Sequence, residues 1–371
     1  MRIDAFHYEL PPEQIAQHPT DDREAARLLH VPNGDCPLEH RTIADLAELV
    51  PKGALVVVND TKVLPARLLG NKSDTGGKVE ILLVRPVGRR TLKTQDDDVR
   101  DVEIWRALGK SSKPLRLGSD VDAGPLRVHV LRRDDDGLLE VALSTQRGTD
   151  VRDALRAVGH VPLPPYIKRG DVAADTLRYQ TVFARVEGAI AAPTAGLHLS
   201  RALLDRLAVR ECEIASITLH VGLGTFQPVT VDDLDHHPMH AESFEVPRTV
   251  EVAIDRAREH GAPVVAVGTT VVRALESAAR DGGTNGLSGP GRVDAASGET
   301  RLLIQPGYRF RVVDRLLTNF HLPRSTLLAL VCAFGGTERV LDAYATAVSK
   351  GYRFFSYGDA MLLSCRADSR A

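Results

Sequence analysis

The sequence predicts an α/β main domain with a mixed sheet, interrupted by a small inserted antiparallel β-barrel domain. Residues 1–65 and 150–371 alternate short apolar runs with helix-like periodic stretches, which is typical of a sheet covered by helices. Residues 66–149 instead hold closely spaced segments of alternating polar and apolar residues, separated by Gly, Pro and Asp, which is typical of a small barrel. We therefore expect a catalytic α/β domain in the two outer ranges and a barrel domain at residues 66–149.

The elements of the α/β domain are predicted from apolar runs and from helix caps. Its strands are expected at residues 55–58, 214–219 and 264–267. Its helices are expected after the caps Asp150 and Ser200, from Thr249 to Gly261, and near Thr270. The first strand is followed by Asn59, Asp60 and Thr61, and a buried strand that ends in polar residues is a common place for a site.

The inserted domain is predicted from four short alternating segments. They lie at residues 78–81, 101–105, 126–130 and 138–143. The acidic runs at 96–98 and 134–136 are expected to be solvated turns. A segment rich in Gly and Ser at 281–297 is expected to be a flexible surface loop.

Composition excludes several classes of protein. The 371 residues include 47 Lys and Arg against 49 Asp and Glu, a formal net charge of −2, which argues against a nucleic-acid clamp over the whole surface but leaves a local basic face open. No run of 18 apolar residues and no secretory segment are present, so we expect no membrane span. The four cysteines form no C-x-x-C pair, so we expect reduced thiols and a cytoplasmic location.

Two histidines stand in loops that could hold a ligand. His198 follows a run of small residues at 191–197 and precedes the helix capped by Ser200, whose free amides favour a negative group. His220 ends a strand and precedes a Gly-x-Gly turn, which lacks the third glycine and the helix of a dinucleotide site. Histidines can act as acid or base near neutral pH, although a lone histidine is more often structural.

A third histidine segment leaves metal binding open. Residues 236–242 include His236, His237, His240 and Glu242. Pro238 makes a regular helix unlikely there, so the H-E-x-x-H geometry of zinc proteases is not indicated. A hydrogen-bonded histidine cluster or a ligand contact fits the segment at least as well as a metal site.

Other segments offer cations, hydroxyls and aromatic rings. The proline-rich strap at 159–169 presents Tyr166, Lys168 and Arg169, and it is either a rigid connector, which the pattern alone favours, or a contact to an anionic partner. Residues 268–273 form a strand-to-helix junction with hydroxyls and a cation, and residues 351–359 hold four aromatic residues. Aromatic residues of this kind fill a core or stack on a nucleobase. The residues alone therefore indicate an α/β enzyme with a site rich in His and Thr, without naming the reaction.

Taken together, these segments resemble the S-adenosylmethionine:tRNA ribosyltransferase-isomerase family of queuosine biosynthesis. The similar strings are FHYELP at 6–11, VNDTKVLPARL at 58–68, the proline strap, RYQTV at 178–182, AAPTAGLH at 191–198, TLHVGLGTFQP at 218–228, VGTT at 267–270, TNFHLPRST at 318–326 and YRFFSYGDAM at 352–361. Small departures include Asp60 in place of a second asparagine and Leu199 in place of an aromatic residue. They affect local contacts and not the reaction class.

The resemblance implies that the ribosyl part of S-adenosylmethionine is transferred to a tRNA wobble base carrying 7-aminomethyl-7-deazaguanine. The ribosyl unit is isomerised to an epoxycyclopentane to give epoxyqueuosine, and adenine and methionine leave. It implies no metal and no other cofactor, because S-adenosylmethionine is consumed as the ribosyl donor. It also implies the α/β fold with an inserted barrel.

The resemblance and the residue chemistry together suggest roles in this reaction. The catalytic candidates are His198, His220, His321 and His240. Thr194, Thr269 and Thr270 are expected to hold polar groups of ribose or methionine, and Arg273 the methionine carboxylate. Glu242 or Asp359 is expected to face the sulfonium. The rings expected to stack on adenine or the modified base are those of Tyr352, Phe355 and Tyr357.

The expected partners are S-adenosylmethionine and the tRNA anticodon loop, with no membrane and a monomeric chain. The tRNA contacts are expected from Arg67, Tyr166, Lys168, Arg169 and Arg353. The alternatives are an S-adenosylmethionine-dependent RNA methyltransferase and a non-catalytic tRNA-binding protein. The methyltransferase is disfavoured because no glycine-rich loop is followed by an acidic residue about 20 positions on.

Overall fold

The computed structural model describes residues 1–34, 36–93, 99–134, 137–145, 149–222, 231–279 and 291–370. The acidic run predicted at 96–98, the second glycine of the Gly-x-Gly turn after His220 and most of the loop predicted at 281–297 lie outside these residues. No helix of the described residues is long and apolar enough to cross a membrane.

A nine-stranded mixed sheet forms the centre of the protein, which confirms the mixed sheet predicted from the sequence. Its strands are β1 (Arg27–Val31), β2 (Glu39–Thr42), β3 (Leu55–Asn59), β12 (Glu213–Leu219), β13 (Glu242–Val246), β14 (Val264–Val267), β15 (Ala296–Thr300), β16 (Arg315–Asn319) and β17 (Ala360–Ser364). They lie in the order β15-β13-β12-β3-β14-β16-β17-β1-β2. Because β12, β3, β14 and β16 run parallel, their carboxyl ends meet at one edge of the sheet.

Helices cover both faces of this sheet, and the alternation of side chains in β3 shows why. Val57 packs in the core cluster that includes residues of α5 (Arg248–Glu259), α6 (Thr269–Ser277), α7 (Thr326–Gly335) and α8 (Thr337–Ser349). Val56 and Val58 point the other way, into the cluster with α1 (Leu46–Leu49) and α4 (Arg201–Val209). A parallel strand buried on both faces is expected to be a run of apolar residues, as residues 55–58 are, before the polar Asn59 at its end.

The predicted helix caps are present. The Oγ atom of Ser200 accepts a hydrogen bond from the amide of Leu203 at 2.9 Å. The Oδ1 atom of Asp150 accepts one from Arg152 at 2.7 Å and begins α2 (Val151–Val158), which ends at Gly159. The third predicted helix begins one residue earlier than expected, at Arg248, because Pro247 ends the preceding extended backbone. A short additional helix, α3, spans Asp175–Arg178.

The inserted region forms a six-stranded antiparallel sheet. Its strands are β5 (Arg67–Lys72), β6 (Lys78–Lys93), β7 (Val99–Ser111), β8 (Asp120–Ala123), β9 (Leu126–Arg133) and β10 (Leu139–Thr145). Their pairing closes on itself in the order β10-β7-β6-β5-β8-β9, so the sheet is a closed barrel. The hairpin of β6 and β7 is much longer than predicted, because polar residues such as Arg89 and Glu103 pair across it at 3.0 Å.

The barrel is attached to the α/β part through several contacts. Val151, Ala154 and Leu155 of α2 pack in the barrel core, although the sequence assigns residues from 150 onward to the α/β domain. The domain boundaries at 65/66 and 149/150 stay a prediction. A two-stranded parallel sheet of β4 (Thr61–Val63) and β11 (Val186–Ala189) completes the fold.

Candidate active site

A cavity of about 400 Å³ opens at the edge where the parallel strands end. Val221 follows β12, Gly268 follows β14, and Thr318 and Asn319 end β16, and all four line the cavity. The volume lies in the range of small-molecule sites, roughly 300–1,000 Å³. The carboxyl ends of parallel strands are the usual place for a ligand in an open α/β sheet.

The N-terminus of α6 forms one wall of the cavity. Gly268 has a φ of +97°, a conformation that favours glycine, and lets the chain turn directly from β14 into the helix. Among the residues that the structure describes, no side chain caps this helix, and its first amides have no partner within the helix. Thr269 and Thr270 line the cavity here, and Thr194, in the segment after Pro193, lines it as well. This wall offers hydroxyls and amide donors for polar groups, as the sequence predicts.

A buried ion pair forms a second wall. Arg273, one turn into α6, donates through Nη1 to Oε2 of Glu242 and through Nε to the carbonyl oxygen of Leu302 at 3.0 Å. The other carboxylate oxygen of Glu242 accepts from the amide of Gly222 at 3.3 Å. Nη2 of Arg273 is buried and has no hydrogen-bond partner among the described residues. The Arg273–Glu242 pair is therefore neutral overall, and the Nη2 atom of Arg273 can still donate to an anionic group.

His321 is the buried histidine of the cavity wall. Its Nε2 lies 2.8 Å from Oγ1 of Thr318, and its backbone is held by the hydroxyls of Tyr344 and Tyr8, at 3.0 Å and 2.5 Å. Burial lowers the pKa of His321 to about 4. The ring is therefore neutral at pH 7, with its Nε2 atom engaged by the hydroxyl of Thr318.

His198 does not line the cavity described above, contrary to its predicted catalytic position. Its Nε2 lies 3.1 Å from Nδ2 of Asn319, which does line the cavity. Burial, with the nearby charges of Arg353 and Arg23, lowers the pKa of His198 to about 3. His198 therefore meets the cavity through Asn319, and a position outside the lining does not support the acid–base role expected from the sequence.

His220 also stands outside the lining of the cavity, beside Val221, which belongs to it. Its Nδ1 lies 2.7 Å from Oγ1 of Thr61, and a Cβ on Gly188 would come within 2.7 Å of its ring. Burial lowers the pKa of His220, and the charge of Asp60 opposes that shift. The ring is thus held in one orientation by the polar residues that follow β3.

The segment with three histidines lies at the opening of the cavity. His237, Met239 and His240 line it, and His240 is exposed. Burial, together with nearby His240, lowers the pKa of His237. Within the described ranges, no three His, Cys, Asp or Glu side chains come together as a potential metal site.

One of the three predicted stacking rings lies in the cavity. Phe355 lines it together with Tyr166, and the two ring centroids are 4.7 Å apart at an interplanar angle of 33°. Phe355 has a φ of +69°, an unfavourable conformation for a residue with a side chain, which the packing around it must maintain. Tyr166, predicted to contact tRNA, is therefore part of an aromatic wall of the cavity.

Tyr352 and Tyr357, the other two rings predicted to stack, do not line the cavity. Tyr352 is fully buried, with the guanidinium of Arg27 3.6 Å above its ring and its hydroxyl 2.8 Å from Nδ1 of His40. Tyr357 is buried and donates to Oδ1 of Asp175 at 2.7 Å. Neither ring has a face in the cavity, so aromatic spacing alone did not separate ligand contacts from core residues.

Asp359 lies in the core, where its carboxylate holds backbone amides. Its two carboxylate oxygens accept hydrogen bonds from the amides of Arg27 at 3.0 Å and Arg353 at 2.8 Å. It is buried and does not line the cavity. Of the two carboxylates predicted to face the sulfonium, only Glu242 is at the cavity, and its charge is matched by Arg273.

The predicted phosphate contacts differ in how free their charges are. Arg169 makes a two-point ion pair with Asp175, at 2.6 and 2.9 Å, and Arg67 pairs with Glu80 at 3.0 Å. Arg353 lies 3.8 Å from Asp359 and is only partly exposed. Lys168 is exposed, and its amine has no ion pair within the described part of the chain. The structure therefore favours Lys168 for a phosphate contact, whereas Arg169 anchors the strap.

Comparisons with known proteins agree with one another. A family model described as "Queuosine biosynthesis protein" matches residues 3–363. A protein of Sorangium cellulosum (strain So ce56) named S-adenosylmethionine:tRNA ribosyltransferase-isomerase is 59% identical over 375 residues, covering 98% of each chain. A protein of the same name from Anaeromyxobacter sp. (strain Fw109-5) is 50% identical over 99% of this chain and 100% of its own.

A solved structure is also similar. The crystal structure of S-adenosylmethionine tRNA ribosyltransferase from Thermotoga maritima is 32% identical in sequence, with a TM-score of 0.52. The match covers 97% of this chain and 99% of that chain. The similarity therefore includes both the α/β part and the barrel.

Proposed function

The chain belongs to the queuosine biosynthesis family, and from this premise we propose that it is an S-adenosylmethionine:tRNA ribosyltransferase-isomerase whose reaction takes place in the cavity at the edge of the sheet. It transfers the ribosyl unit of S-adenosylmethionine to the 7-aminomethyl-7-deazaguanine base of tRNA and isomerises it, and adenine and methionine leave. Such an enzyme is expected in the cytoplasm, as a monomer and without a metal or another cofactor.

The main support for placing S-adenosylmethionine in this cavity is the Nη2 donor of Arg273. S-Adenosylmethionine has a carboxylate at one end and a flat base at the other. Nη2 of Arg273 is a buried cationic donor that has no hydrogen-bond partner among the described residues, and Phe355 with Tyr166 provides an aromatic wall in the same cavity. A carboxylate at Arg273 forms a charge-assisted hydrogen bond. A base on the aromatic wall gains about 1–3 kcal/mol from stacking.

The sulfonium activates the ribose for proton removal. It makes the neighbouring 5′ carbon acidic, so a base must take a proton from that carbon. His321 and His240 are the predicted catalytic histidines that line the cavity, whereas His198 and His220 do not line it. We assign proton transfer to these two residues, with Thr269 and Thr270 holding the polar groups of the ribose.

The tRNA reaches the cavity from outside, through its anticodon loop. The opening is bordered by the exposed His240, and the strap places Lys168 next to the aromatic wall through Tyr166. Single-stranded bases in RNA loops are bound by stacking and phosphate contacts. We therefore assign a phosphate contact to Lys168.

One assay distinguishes this function from the alternatives. The protein is incubated with S-adenosylmethionine and an anticodon stem–loop carrying 7-aminomethyl-7-deazaguanine. We expect release of free adenine and methionine in amounts equal to the modified RNA. A mass gain of about 14 Da with adenosylhomocysteine would show methyl transfer instead, and RNA binding with no release would show a binding protein.

A further inference from the structure

The side-chain amide of Asn319 is fixed in one orientation by its neighbours. It ends β16 and is 2% exposed. Its Nδ2 donates to the carbonyl oxygen of Phe355 at 3.0 Å and lies 3.1 Å from Nε2 of His198. A carbonyl oxygen can only accept a hydrogen bond, so the opposite orientation of the amide would set two oxygen atoms against each other.

The oxygen of this amide is left without a partner. Oδ1 of Asn319 is buried and makes no hydrogen bond within the described residues. A buried acceptor that makes no bond costs about 1–3 kcal/mol, so such groups are rare unless something else satisfies them. Asn319 lines the cavity, and the donor that its oxygen lacks can therefore come from a bound substrate.

We propose, on the basis of the proposed function, that Oδ1 of Asn319 accepts a hydrogen bond from an exocyclic amino group of a substrate base, and that His198 is the positioning residue that orients it. The same amide is bonded to Phe355, whose ring forms the aromatic wall with Tyr166. A base stacked on that wall lies beside Asn319. Both substrates have a suitable group: the 6-amino group of adenine and the 2-amino group of the deazaguanine.

His198 performs the positioning as an acceptor. Because Nδ2 of Asn319 is the donor, Nε2 of His198 must carry the lone pair and Nδ1 the proton. A protonated ring would place an N–H against the amide N–H. The buried ring stays neutral, which is the state that this contact needs. His198 thus acts through Asn319 and does not touch the reacting atoms.

The test removes the amide and the amino groups separately. Wild-type protein and Asn319→Ala are compared with S-adenosylmethionine, with its analogue that has purine in place of adenine, and with a stem–loop whose modified base lacks the 2-amino group. We expect wild-type kcat/KM to fall roughly 5- to 150-fold for one of the two analogues, which identifies the substrate that is bound. The same analogue should cost Asn319→Ala less than about two-fold.

Two results would overturn the proposal. The first is a wild-type kcat/KM for both analogues that stays within two-fold of that for the natural substrates. The second is a loss of kcat/KM on removal of the amino group that is as large in Asn319→Ala as in wild type. If Asn319→Ala does not fold, the wild-type comparison alone decides. Release of adenine by wild type with the natural substrates is measured in parallel, so a failure here is separate from a failure of the proposed function.

His198 is tested by a conservative variant. His198→Gln can still accept from the amide of Asn319 but cannot serve as an acid or base, so we expect it to retain far more activity than His198→Ala and to keep the wild-type pH profile. His260→Gln, at an exposed position after α5, is the matched control. A His198→Gln variant as inactive as His198→Ala, or with a displaced pH profile, would contradict the positioning role.

Discussion

Replacement of Arg273 should separate a folding effect from a ligand-binding effect. Arg273→Ala removes the partner of Glu242, whose side chain is 6% exposed, and leaves a buried carboxylate unpaired. Breaking a buried ion pair in this way costs about 3–5 kcal/mol of unfolding free energy. Adding Glu242→Gln removes the unpaired charge, so the double variant should regain much of that stability.

Binding of S-adenosylmethionine should not recover in the same way. The hydrogen bond from Arg273 to a carboxylate is charge-assisted and contributes about 1.5–3 kcal/mol, or roughly 10- to 150-fold in kcat/KM. Both the single and the double variant lack that donor. Urea unfolding measures the stability of each protein, and initial rates at varied S-adenosylmethionine concentration measure the loss in kcat/KM.

Comparing unfolding stability with the KM for S-adenosylmethionine tests the assignment of Arg273 to the substrate carboxylate. We expect stability to be restored in the double variant while the KM for S-adenosylmethionine stays raised. A double variant that is stable and has a normal KM would refute the contact between Arg273 and the carboxylate. Glu242→Gln alone keeps the guanidinium and serves as the control for changes at the partner position.

Three further predictions follow from the site. The pKa values of His198 and His321 are lowered to about 3 and 4, so below pH 6.5 the unfolded state binds more protons than the folded state and the free energy of unfolding falls with the pH. Each of the two histidines should lower the free energy of unfolding by about 1.4 kcal/mol between pH 7.5 and 5.5. Urea unfolding of His198→Gln should therefore depend less steeply on pH than that of wild type. Phe355→Leu should raise the KM of one base-bearing substrate by roughly 5- to 150-fold. A KM that is unchanged for both substrates would contradict stacking on this ring. Lys168→Met should weaken RNA binding and reduce its salt dependence by about one phosphate contact. Arg169→Met, the control, should chiefly lower the unfolding temperature. If RNA binding by wild type and by Lys168→Met depends equally on salt, the assignment of Lys168 is contradicted.

Local patterns in the sequence predicted the elements of the fold well. The five buried residues of Leu55–Asn59 and the caps at Asp150 and Ser200 are decided by neighbours in the chain, so they could be predicted. The long hairpin of Lys78–Lys93 and Val99–Ser111 could not, because its outer part depends on pairing across strands between polar residues. Burial of apolar residues alone gives no signal for such an extension.

Predictions at the site depended on whether a side chain faces the cavity or the core. Thr269, Thr270 and Arg273 follow a parallel strand, so their place at its carboxyl end was predictable. Tyr352 and Asp359 have the same residue chemistry as a binding site, but each is held in the core by a contact to a residue more than 300 positions away, His40 and Arg27 respectively. That packing is not encoded in any short segment.

Asn319 shows the opposite case, a site residue that the sequence alone did not single out. It stands between Thr318 and His321, in a string that carried the family resemblance, but an asparagine beside histidines has no chemical signature of its own. Its importance depends on Phe355 and His198, which fix its amide from distant parts of the chain. Only the assembled hydrogen bonds show that its side-chain oxygen has no partner in the described part of the chain.

The most direct test follows the carbon atoms of the sugar. S-Adenosylmethionine labelled in its ribose carbons is incubated with the protein and the modified stem–loop, and the RNA is analysed by mass spectrometry. The account predicts that all five labelled carbons appear in the RNA while unlabelled adenine and methionine are released. Label that stays with adenosylhomocysteine, and RNA that gains only a methyl group, would contradict it.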